Sequence, residues 1–395
     1  MLNVIGYIVL LIGILYLSMK AFLKIKFNFW SIQPVFHIYD LNHWLNPNKI
    51  IVPELPKINK YVNLIDIKTK SVEELTEIEV QRFCNFIKSY YLRTKGTEYL
   101  PKQKHIMEYL KASNHHSFIS IYYEPNLLLD KNKTIKVEEI LSVISARPLH
   151  VSLKGQRTFP TYYVDNLCVN PSMRKKGIAP KAIQTLYYEI RRKNNKINNC
   201  LFKREGEMTA IVPLTTFPCK CYKLGIWGSK ILLHGSYNVI EIGVNNLTLL
   251  VDYIAQHKNV LDCLILPEVT NIANLIKNEN IIVYGILKNN TLISLYLFRD
   301  AAVNYIKDSA LELVGSLNSC LDNNIFINGF YSALDKCKKK WNNTVILIDE
   351  LGANNIITKD AKNNNIELIF ESMSALFLYN YASYTVPSSK CFVFY

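Results

Sequence analysis

The chain lacks the short motifs that mark several large enzyme classes. Its 395 residues contain no G-x-S-x-G, no HExxH and no P-loop pattern. These patterns position the serine nucleophile of α/β-hydrolases, the zinc ligands of metalloproteases and the phosphate-binding turn of P-loop nucleotidases. The sequence therefore argues against those three chemistries.

Paired cysteine motifs are absent as well. The nine cysteines include no CxxC pair, and Cys219 and Cys221 are too close together for a zinc knuckle. A disulfide framework or a structural zinc site needs such paired spacings. We expect reduced thiols of a cytosolic protein and no bound metal.

Acidic residues are too few to balance the basic ones. The 46 Lys and Arg against 32 Asp and Glu leave a formal net charge of +14. Such an excess suits nucleotide phosphates, an anionic membrane face or nucleic acid. Biased coding in an Asn-, Lys- and Ile-rich chain also produces solvated surface lysines, which explain most of the total. We give weight to the cluster at 174–176 and predict no nucleic-acid partner.

Charge is missing altogether from the first nineteen residues, which are almost wholly apolar. With the next few residues this run reaches the ~20 residues that a helix needs to cross a bilayer. Three lysines follow within 20–26, so the positive-inside rule places the body of the protein in the cytosol. A cleaved signal peptide is the alternative, but no basic n-region or small-residue cleavage site is visible. We predict a single-pass anchor at 1–26, with 1–23 in the membrane.

Apolar periodicity predicts alternating helices and strands along the rest of the chain. Strands are predicted at 117–123, 138–146, 162–169, 281–287, 292–298, 311–320, 345–348 and after Lys390, and helices after Ser71, at 249–256, 271–276 and 329–340, and from Pro180. Residues 46–60 and 91–101 are predicted to be irregular. Chain ends fray unless they are tied down, so the aromatic last strand argues for burial of the C-terminus.

The most informative stretch follows the apolar strand at 162–169. A basic loop at 174–179 leads into a helix predicted to begin at Pro180, where a missing N–H is tolerated. Backbone N–H groups at a helix start bind phosphate, favoured by the helix dipole and by flanking cations. Gly177 allows a ligand to approach the backbone closely. The form R-x-x-G-x-A resembles the pyrophosphate loop of the GNAT acyl-CoA transferases.

Two segments carry a more specific resemblance. The segment at 27–35, FNFWSIQPV, resembles the F-W-x-T-Q-P-V signature of the N-myristoyltransferase family. The segment at 167–180, LCVNPSMRKKGIAP, is similar to the family's L-C-V-H-x-x-L-R-x-K-R-x-A-P, with the same spacing throughout. Looser matches are ISARP at 144–148, a strand at 208–212, a turn at 219–222, FYSALD at 330–335 and FLYNY at 377–381. The resemblance covers residues 27–395.

This resemblance implies an α/β fold with an α+β mixed sheet, in which tandem GNAT-like halves form one N-myristoyltransferase-type saddle after a single transmembrane helix. It divides the chain into an anchor at 1–26, an arm at 27–60, an acyl-CoA-binding half at 61–230 and a peptide-binding half at 231–395. The implied reaction moves a myristoyl group from CoA to the N-terminal glycine amine of a protein. Myristoyl-CoA is the co-substrate, no cofactor or metal is permanently bound, and the protein is a monomer.

The resemblance also implies which residues carry the reaction. The backbone N–H groups of Asn166 and Leu167 would donate to the thioester oxygen, a contribution of roughly 3–4 kcal/mol per donor. Thr209 would steer the acceptor amine, and the terminal carboxylate of Tyr395 would take its proton. Burial raises the pKa of a carboxyl group and makes it a stronger base. The acyl-CoA would contact Asn28, Phe29, Trp30, Leu167, Cys168, Val169, Arg174, Lys175, Lys176, Gly177, Ile178, Ala179 and Pro180.

Several positions depart from the family pattern. Asp165 and Asn166 stand where the family has Asn and Phe. The loop at 91–101 carries two basic residues against the single acidic Glu98, whereas the family uses an acidic loop to grip a basic peptide. The peptide preference therefore stays open.

Other interpretations stay open too. Trp30 would also suit a juxtamembrane aromatic belt, and the last strand would also suit a purely structural role. Two alternative functions are a GNAT N-acetyltransferase with a short acyl donor and a catalytically degenerate, membrane-tethered binding protein. Competition between acetyl-CoA and myristoyl-CoA separates the first from an N-myristoyltransferase, and acyl-CoA binding without transfer identifies the second.

Overall fold

A computed structural model describes residues 2–94, 96–130, 133–206, 210–225, 227, 235 and 237–394. Two of the predicted catalytic residues, Thr209 and Tyr395, lie outside the described residues.

The described residues contain ten α-helices and seventeen β-strands. The helices are α1 (Leu2–Lys26), α2 (Asn28–Ser31), α3 (Leu41–Leu45), α4 (Glu77–Tyr90), α5 (Lys104–Met107), α6 (Ile178–Lys193), α7 (Leu247–His257), α8 (Val269–Lys277), α9 (Asn323–Trp341) and α10 (Asn354–Asn363). The strands are β1 (Lys49–Ile50), β2 (Ile67–Ser71), β3 (Thr97–Tyr99), β4 (Phe118–Asp130), β5 (Lys133–Leu153), β6 (Phe159–Val169), β7 (Cys200–Glu205), β8 (Thr215–Lys223), β9 (Tyr237–Ile242), β10 (Cys263–Leu266), β11 (Ile282–Lys288), β12 (Thr291–Tyr305), β13 (Asp308–Asn318), β14 (Val345–Asp349), β15 (Leu368–Tyr379), β16 (Tyr381–Ala382) and β17 (Cys391–Val393).

Fifteen of the described strands form one mixed sheet in which the two predicted halves interleave. Its main path runs β17-β10-β5-β6-β7-β15-β8-β14-β13-β12-β11-β9, with β4 beside β5, β2 beside β4, and β3 beside β12. Among these strands the pairs β10–β17, β6–β7 and β13–β14 are parallel. The large mixed sheet confirms the predicted α/β class. The tandem halves and their boundary near residue 230 stay predictions.

Helices cover both faces of this sheet. In β11, Ile282, Tyr284 and Ile286 pack against α9, whereas Val283 packs with α7 and α8. Because both faces of β11 are buried, its sequence is a continuous apolar run rather than an alternating pattern. The predicted hairpin at 281–298 is confirmed as β11 and β12.

The N-terminal part of the sheet is covered in the same way. Ile144 and Ala146 of β5 pack against α6, and Val143 packs against α4. The start of α4 is fixed by a capping box, in which the Thr76 hydroxyl accepts from the Glu79 N–H at 3.3 Å and the Glu79 carboxylate accepts from the Thr76 N–H at 3.0 Å. These two helices hold β5 and its neighbour β6 in place.

Some element boundaries differ from the prediction. The helix predicted to begin at Pro180 begins at Ile178, because Gly177 takes a left-handed φ of 77° and serves as the N-cap. The segment 219–222, predicted as a turn, lies inside β8, where β14 and β15 pair with it on either side. Part of the strand predicted at 208–212 is described, and there Ile211 makes only an isolated bridge.

The end of the chain is buried as far as Phe394, as its aromatic pattern predicts. Cys391, Phe392, Val393 and Phe394 are each at most 1% exposed. β17 pairs in parallel with β10, and the Phe394 N–H donates to the Ile265 carbonyl at 2.9 Å. Pairing and burial together prevent fraying of this segment.

The N-terminal helix α1 is exposed, unlike the helices that cover the sheet. The segment Val4–Lys26 is long and apolar enough to span a membrane, and none of it is buried. Its length, composition and exposure fit a membrane anchor or a signal sequence. The Tyr16 hydroxyl connects it to the body by donating to the Tyr39 carbonyl at 2.7 Å.

Candidate functional site

A cavity opens where two parallel strands of the sheet separate. β6 and β7 are paired at only two positions, Tyr162 with Cys200 and Tyr163 with Leu201. Beyond them, residues 164–167 of β6 and 202–205 of β7 line a cavity of about 790 Å³. A split between central strands gives a ligand access to both faces of the sheet.

The wall of the cavity contains a β-bulge at the predicted catalytic residues. On β5, Val143 pairs with Cys168 and Ser145 pairs with Asp165, so Asn166 and Leu167 lie opposite a single residue. Asn166 has a φ of 55°. This left-handed conformation is one that Asn adopts more readily than most residues. The bulge turns the backbone at the place where the resemblance implies an acyl-oxygen site.

The hydrogen bonds of this bulge involve Asp165. The backbone N–H of Asn166 donates to the Asp165 carboxylate at 2.7 Å, and the Tyr91 hydroxyl donates to the same oxygen at 3.3 Å. The Asn166 side-chain amide donates to the Ser145 hydroxyl at 2.9 Å. An acyl oxygen would therefore compete with a carboxylate for the Asn166 N–H.

One compartment of the cavity is apolar. Trp30 stacks on Phe202 with ring centroids 5.4 Å apart, and Phe202 stacks on Phe377 at 5.3 Å. Phe29 packs edge-on against Trp30 at 5.1 Å. Side chains from α6 complete the wall, namely Ile183, Leu186, Tyr187 and Ile190. This compartment can hold an extended hydrocarbon chain. Phe29 and Trp30, two of the residues predicted to contact acyl-CoA, lie in its wall.

The predicted phosphate loop lies next to the cavity. Arg174, Lys175, Lys176 and Gly177 are exposed, and the last of these caps the sixteen-residue helix α6. Ala179 and Pro180 line the cavity. Exposed cations before a capped helix start are suited to bind an anionic group there.

Besides the four exposed residues of this loop, four more of the predicted contact residues do not line the cavity. Asn28 is exposed on α2, and Ile178 is buried in a small cluster that Val169 also contacts. Cys168 packs with residues of α4, and burial raises the pKa of its thiol to about 12. Side chains alternate across a strand, so Leu167 faces the cavity while its neighbour Cys168 faces the core.

The other compartment of the cavity is polar, and the sequence analysis did not identify it. Lys203 pairs with Asp349 at 2.6 Å, and Arg299 makes two hydrogen bonds with Glu312 at 2.7 and 2.8 Å. Arg147 lies in the same compartment. The sequence feature that could have indicated this compartment is Arg147, a charged residue inside the apolar segment 140–149.

Tyrosines surround these ion pairs, of which Tyr163 is buried and Tyr91 and Tyr99 are half-buried. Burial raises the pKa of the phenols of Tyr91, Tyr99 and Tyr163 above their ordinary value. They are protonated at neutral pH, as an unperturbed phenol also is, and can donate hydrogen bonds. Among the described residues no group of three or more His, Cys, Asp or Glu side chains is placed to hold a metal ion.

Comparison with solved structures gives the fold. One structure of Saccharomyces cerevisiae N-myristoyltransferase with bound myristoyl-CoA superimposes with a TM-score of 0.67 at 13% identity, covering 91% of this chain and 94% of that one. A second, also with bound myristoyl-CoA, gives 0.68 at 13% identity over 91% and 89%. A third, with bound myristoyl-CoA and inhibitors, gives 0.66 at 13% identity over 94% and 95%.

The chain has the N-myristoyltransferase fold. No protein-family model and no curated protein sequence matches it. At 13% identity the structural match establishes the fold and leaves the chemistry to the residues of the site.

Within the N-myristoyltransferase fold, two segments that carried the sequence resemblance meet. The Tyr379 hydroxyl donates to the Gln33 side chain at 2.6 Å, which joins FLYNY to FWSIQPV across 346 residues of sequence. Next to it, the buried Asn380 accepts from the Val52 N–H and donates to the carbonyls of Val52 and Asn198, each at 2.8 Å. The arm that contributes Trp30 is thereby fixed to the sheet.

Proposed function

We propose that this protein is an acyl-CoA-dependent acyltransferase that moves a myristoyl group from CoA to the N-terminal glycine amine of a protein. The observation that carries the proposal is the cavity between β6 and β7. It joins an apolar compartment to a polar one beside the basic start of α6. The yeast N-myristoyltransferase structures that share this fold contain bound myristoyl-CoA.

The donor side follows from the two walls of the apolar compartment. The acyl chain would lie between the Trp30–Phe202 stack and α6, and the pyrophosphate would bind Arg174, Lys175 and Lys176 at the helix start. A cavity of about 790 Å³ favours a long chain over acetyl, because a short one would leave apolar walls without contacts. This size argues against the short-chain acetyltransferase.

The acceptor side uses the polar compartment. The amine nitrogen attacks the thioester carbonyl carbon, the C–S bond breaks, and CoA leaves as a thiolate that is then protonated. In this proposal Tyr395 takes the amine proton through its terminal carboxylate, Thr209 steers the amine, and the N–H groups of Asn166 and Leu167 stabilise the developing oxyanion. No metal and no covalent enzyme intermediate is needed.

One observation favours a second candidate function. The Asn166 N–H is bonded to the Asp165 carboxylate, and a fixed negative charge opposes an oxyanion at the same place. A protein in which this arrangement persists would bind acyl-CoA without turning it over. It would then be a membrane-tethered acyl-CoA-binding protein.

The experiment uses the full chain in detergent micelles with labelled myristoyl-CoA and a library of N-terminal glycine peptides. We expect a labelled amide on glycine peptides and none on N-acetylated ones. Acetyl-CoA should compete poorly with myristoyl-CoA. Binding of myristoyl-CoA with no transfer to any peptide would reject the enzyme and support the binding protein.

A charge variant tests the donor site separately. Replacing Arg174, Lys175 and Lys176 with Ala should weaken CoA binding about tenfold or more, because the pyrophosphate loses its cationic partners. The matched control replaces three exposed lysines elsewhere, Lys277, Lys307 and Lys362. Equal losses in both variants would show a general charge effect and no phosphate site.

We also propose that the protein is a monomer with a single N-terminal anchor and a cytosolic body. The exposed apolar helix and the lysines that follow it support this orientation. The exposed sequon at Asn289 is an internal reporter, because only a lumenal body would be glycosylated there. We expect glycosidase treatment to leave the mass of the expressed protein unchanged.

A further inference from the structure

The polar compartment contains a buried cation without a hydrogen-bond partner on one arm. Arg147 is 5% exposed, and its Nη1 atom has no partner. Buried charges in proteins are normally paired, because an unpaired one loses its hydration without compensation. Arginine stays protonated even when burial lowers its pKa, as it does here. Such a group needs an explanation beyond folding.

The surroundings of Arg147 hold further unsatisfied polar atoms. Its guanidinium carbon lies 5.2 Å from the ring centroid of Tyr109 and 5.1 Å from that of Tyr163. The Tyr109 hydroxyl and the Nδ1 atom of His105 are also buried and without partners. All four residues line the same cavity. The Nη1 donor of Arg147 and the hydroxyl of Tyr109 are therefore available to a ligand that brings an acceptor.

The neighbouring cations are occupied by carboxylates of this chain. Lys203 pairs with Asp349, and Arg299 pairs with Glu312. Arg147 forms no ion pair within the described part of the chain. It is therefore a buried cation of this compartment that can bind a carboxylate from outside.

The sheet register relates Arg147 to the bulge. Ser145 and Arg147 of β5 lie opposite Asp165 and Tyr163 of β6, so all four side chains share one face. Asp165 is next to the bulge, and Arg147 is one diagonal position further along. A carboxylate bound at Arg147 would therefore lie on the same face of the sheet as the bulge, close to the proposed position of the acyl group.

We infer that Arg147 binds a carboxylate of the acceptor, and that the acceptor is a peptide with an acidic side chain close to its N-terminal glycine. This inference rests on the proposed acyl transfer to glycine amines. The loop at 91–101 agrees with it, because its single acidic residue, Glu98, already pairs with Arg93 at 2.5 Å. The α-carboxylate of a free amino acid offers the same chemistry and is a separate arm of the test.

The test compares peptide pairs that differ by one charge. Glycine peptides with Asp or Glu at the second, third or fourth position are assayed against the same peptides with Asn or Gln. Free glycine is the additional arm. For the full chain in micelles we expect kcat/KM to favour the acid by about tenfold or more at one position, since a buried cation rejects an analogue that leaves it unpaired. A ratio within twofold at every position and no use of free glycine would overturn the inference.

Variants assign the preference to one side chain. Arg147→Met keeps most of the volume and should reduce the acid-to-amide ratio to within twofold, whereas Arg147→Lys should retain part of it. Arg192→Met is the matched control, because Arg192 is exposed and outside the cavity. Retention of the full preference in Arg147→Met would overturn the assignment.

A binding assay separates this inference from the proposed transfer. Fluorescence anisotropy of the labelled peptides is measured in the presence of a non-reactive thioether analogue of myristoyl-CoA. If no peptide is acylated but the acidic peptide binds about tenfold more tightly in an Arg147-dependent way, transfer fails and the carboxylate site stands. If transfer occurs without any acid preference, the proposed function stands and the carboxylate site fails. If Arg147→Met does not fold, the acid-to-amide ratio of the wild-type protein and that of Arg147→Lys still test the inference.

Discussion

The backbone N–H of Asn166 donates a 2.7 Å hydrogen bond to the carboxylate of Asp165, inside the cavity where β6 and β7 separate. Both residues stand at positions where the sequence departs from the N-myristoyltransferase pattern. The bond engages a donor that the proposed reaction needs. Activity should therefore depend on the charge at residue 165.

Replacing Asp165 with Asn should raise the rate of acyl transfer. The neutral amide oxygen competes less for the Asn166 N–H and does not repel an oxyanion. We expect kcat to rise about tenfold, which is less than the roughly 10²-fold to 10³-fold effect of a complete oxyanion donor, because the amide still competes. Single-turnover transfer of labelled myristate measures it. Ser145→Ala is the control for loosening of the bulge, because it removes a neighbouring hydrogen bond without changing the charge. A lower kcat in Asp165→Asn would contradict the prediction and show that Asp165 contributes to catalysis.

Trp30 should set the affinity for the acyl chain. Trp30→Ala removes the ring that stacks on Phe202 in the apolar compartment, and we expect the Kd for myristoyl-CoA to rise about tenfold to a hundredfold while that for CoA itself changes little. Calorimetry measures both. Trp44→Ala is the control, because Trp44 lies outside this cavity and is 39% exposed. Equal effects of the two variants would show that Trp30 has no specific role in binding the acyl chain.

Asn380 should be important for stability. Its side chain makes three hydrogen bonds to the backbone of Val52 and Asn198, it is fully buried, and its φ is 62°. Asn380→Ala leaves those groups unpaired and should lower the free energy of unfolding by about 3 kcal/mol. Thermal denaturation measures the loss. Asn365→Ala is the control, since Asn365 also has a left-handed φ, of 52°, but is exposed; similar losses would assign the effect to backbone conformation alone.

Stability should fall on mild acidification because of buried histidines. Burial lowers the pKa of His37 and of His105 below the ordinary value of 6.5. Below pH 6.5 the unfolded chain takes up protons that the folded protein excludes, so stability is full above that pH and declines as the pH falls toward the lowered pKa values. Melting temperatures at pH 7.5 and 5.5 measure the decline. It should shrink in His37→Asn and persist in His116→Asn, whose histidine is exposed; a melting temperature independent of pH over this range would contradict the assignment.

Much of the fold was predictable because it follows from local patterns. The continuous apolar run of β11, the helical spacing of α9 and the aromatic end of the chain each restrict the backbone through burial, and the structure confirms all three. The turn predicted at 219–222 was wrong, because pairing with β14 and β15 on both sides imposes a strand on that segment. Local sequence does not contain the partners of a strand.

The candidate site divides in the same way. The sequence by itself determined the basic loop before α6, the aromatic arm with Trp30 and the apolar N-terminus, since each is a contiguous pattern whose chemistry does not depend on distant residues. Only the tertiary structure decided that β6 and β7 separate into a cavity, that Asp165 holds the Asn166 N–H, and that Arg147 is buried between Tyr109 and Tyr163. These relationships join residues through strand register and packing, which are properties of the whole sheet.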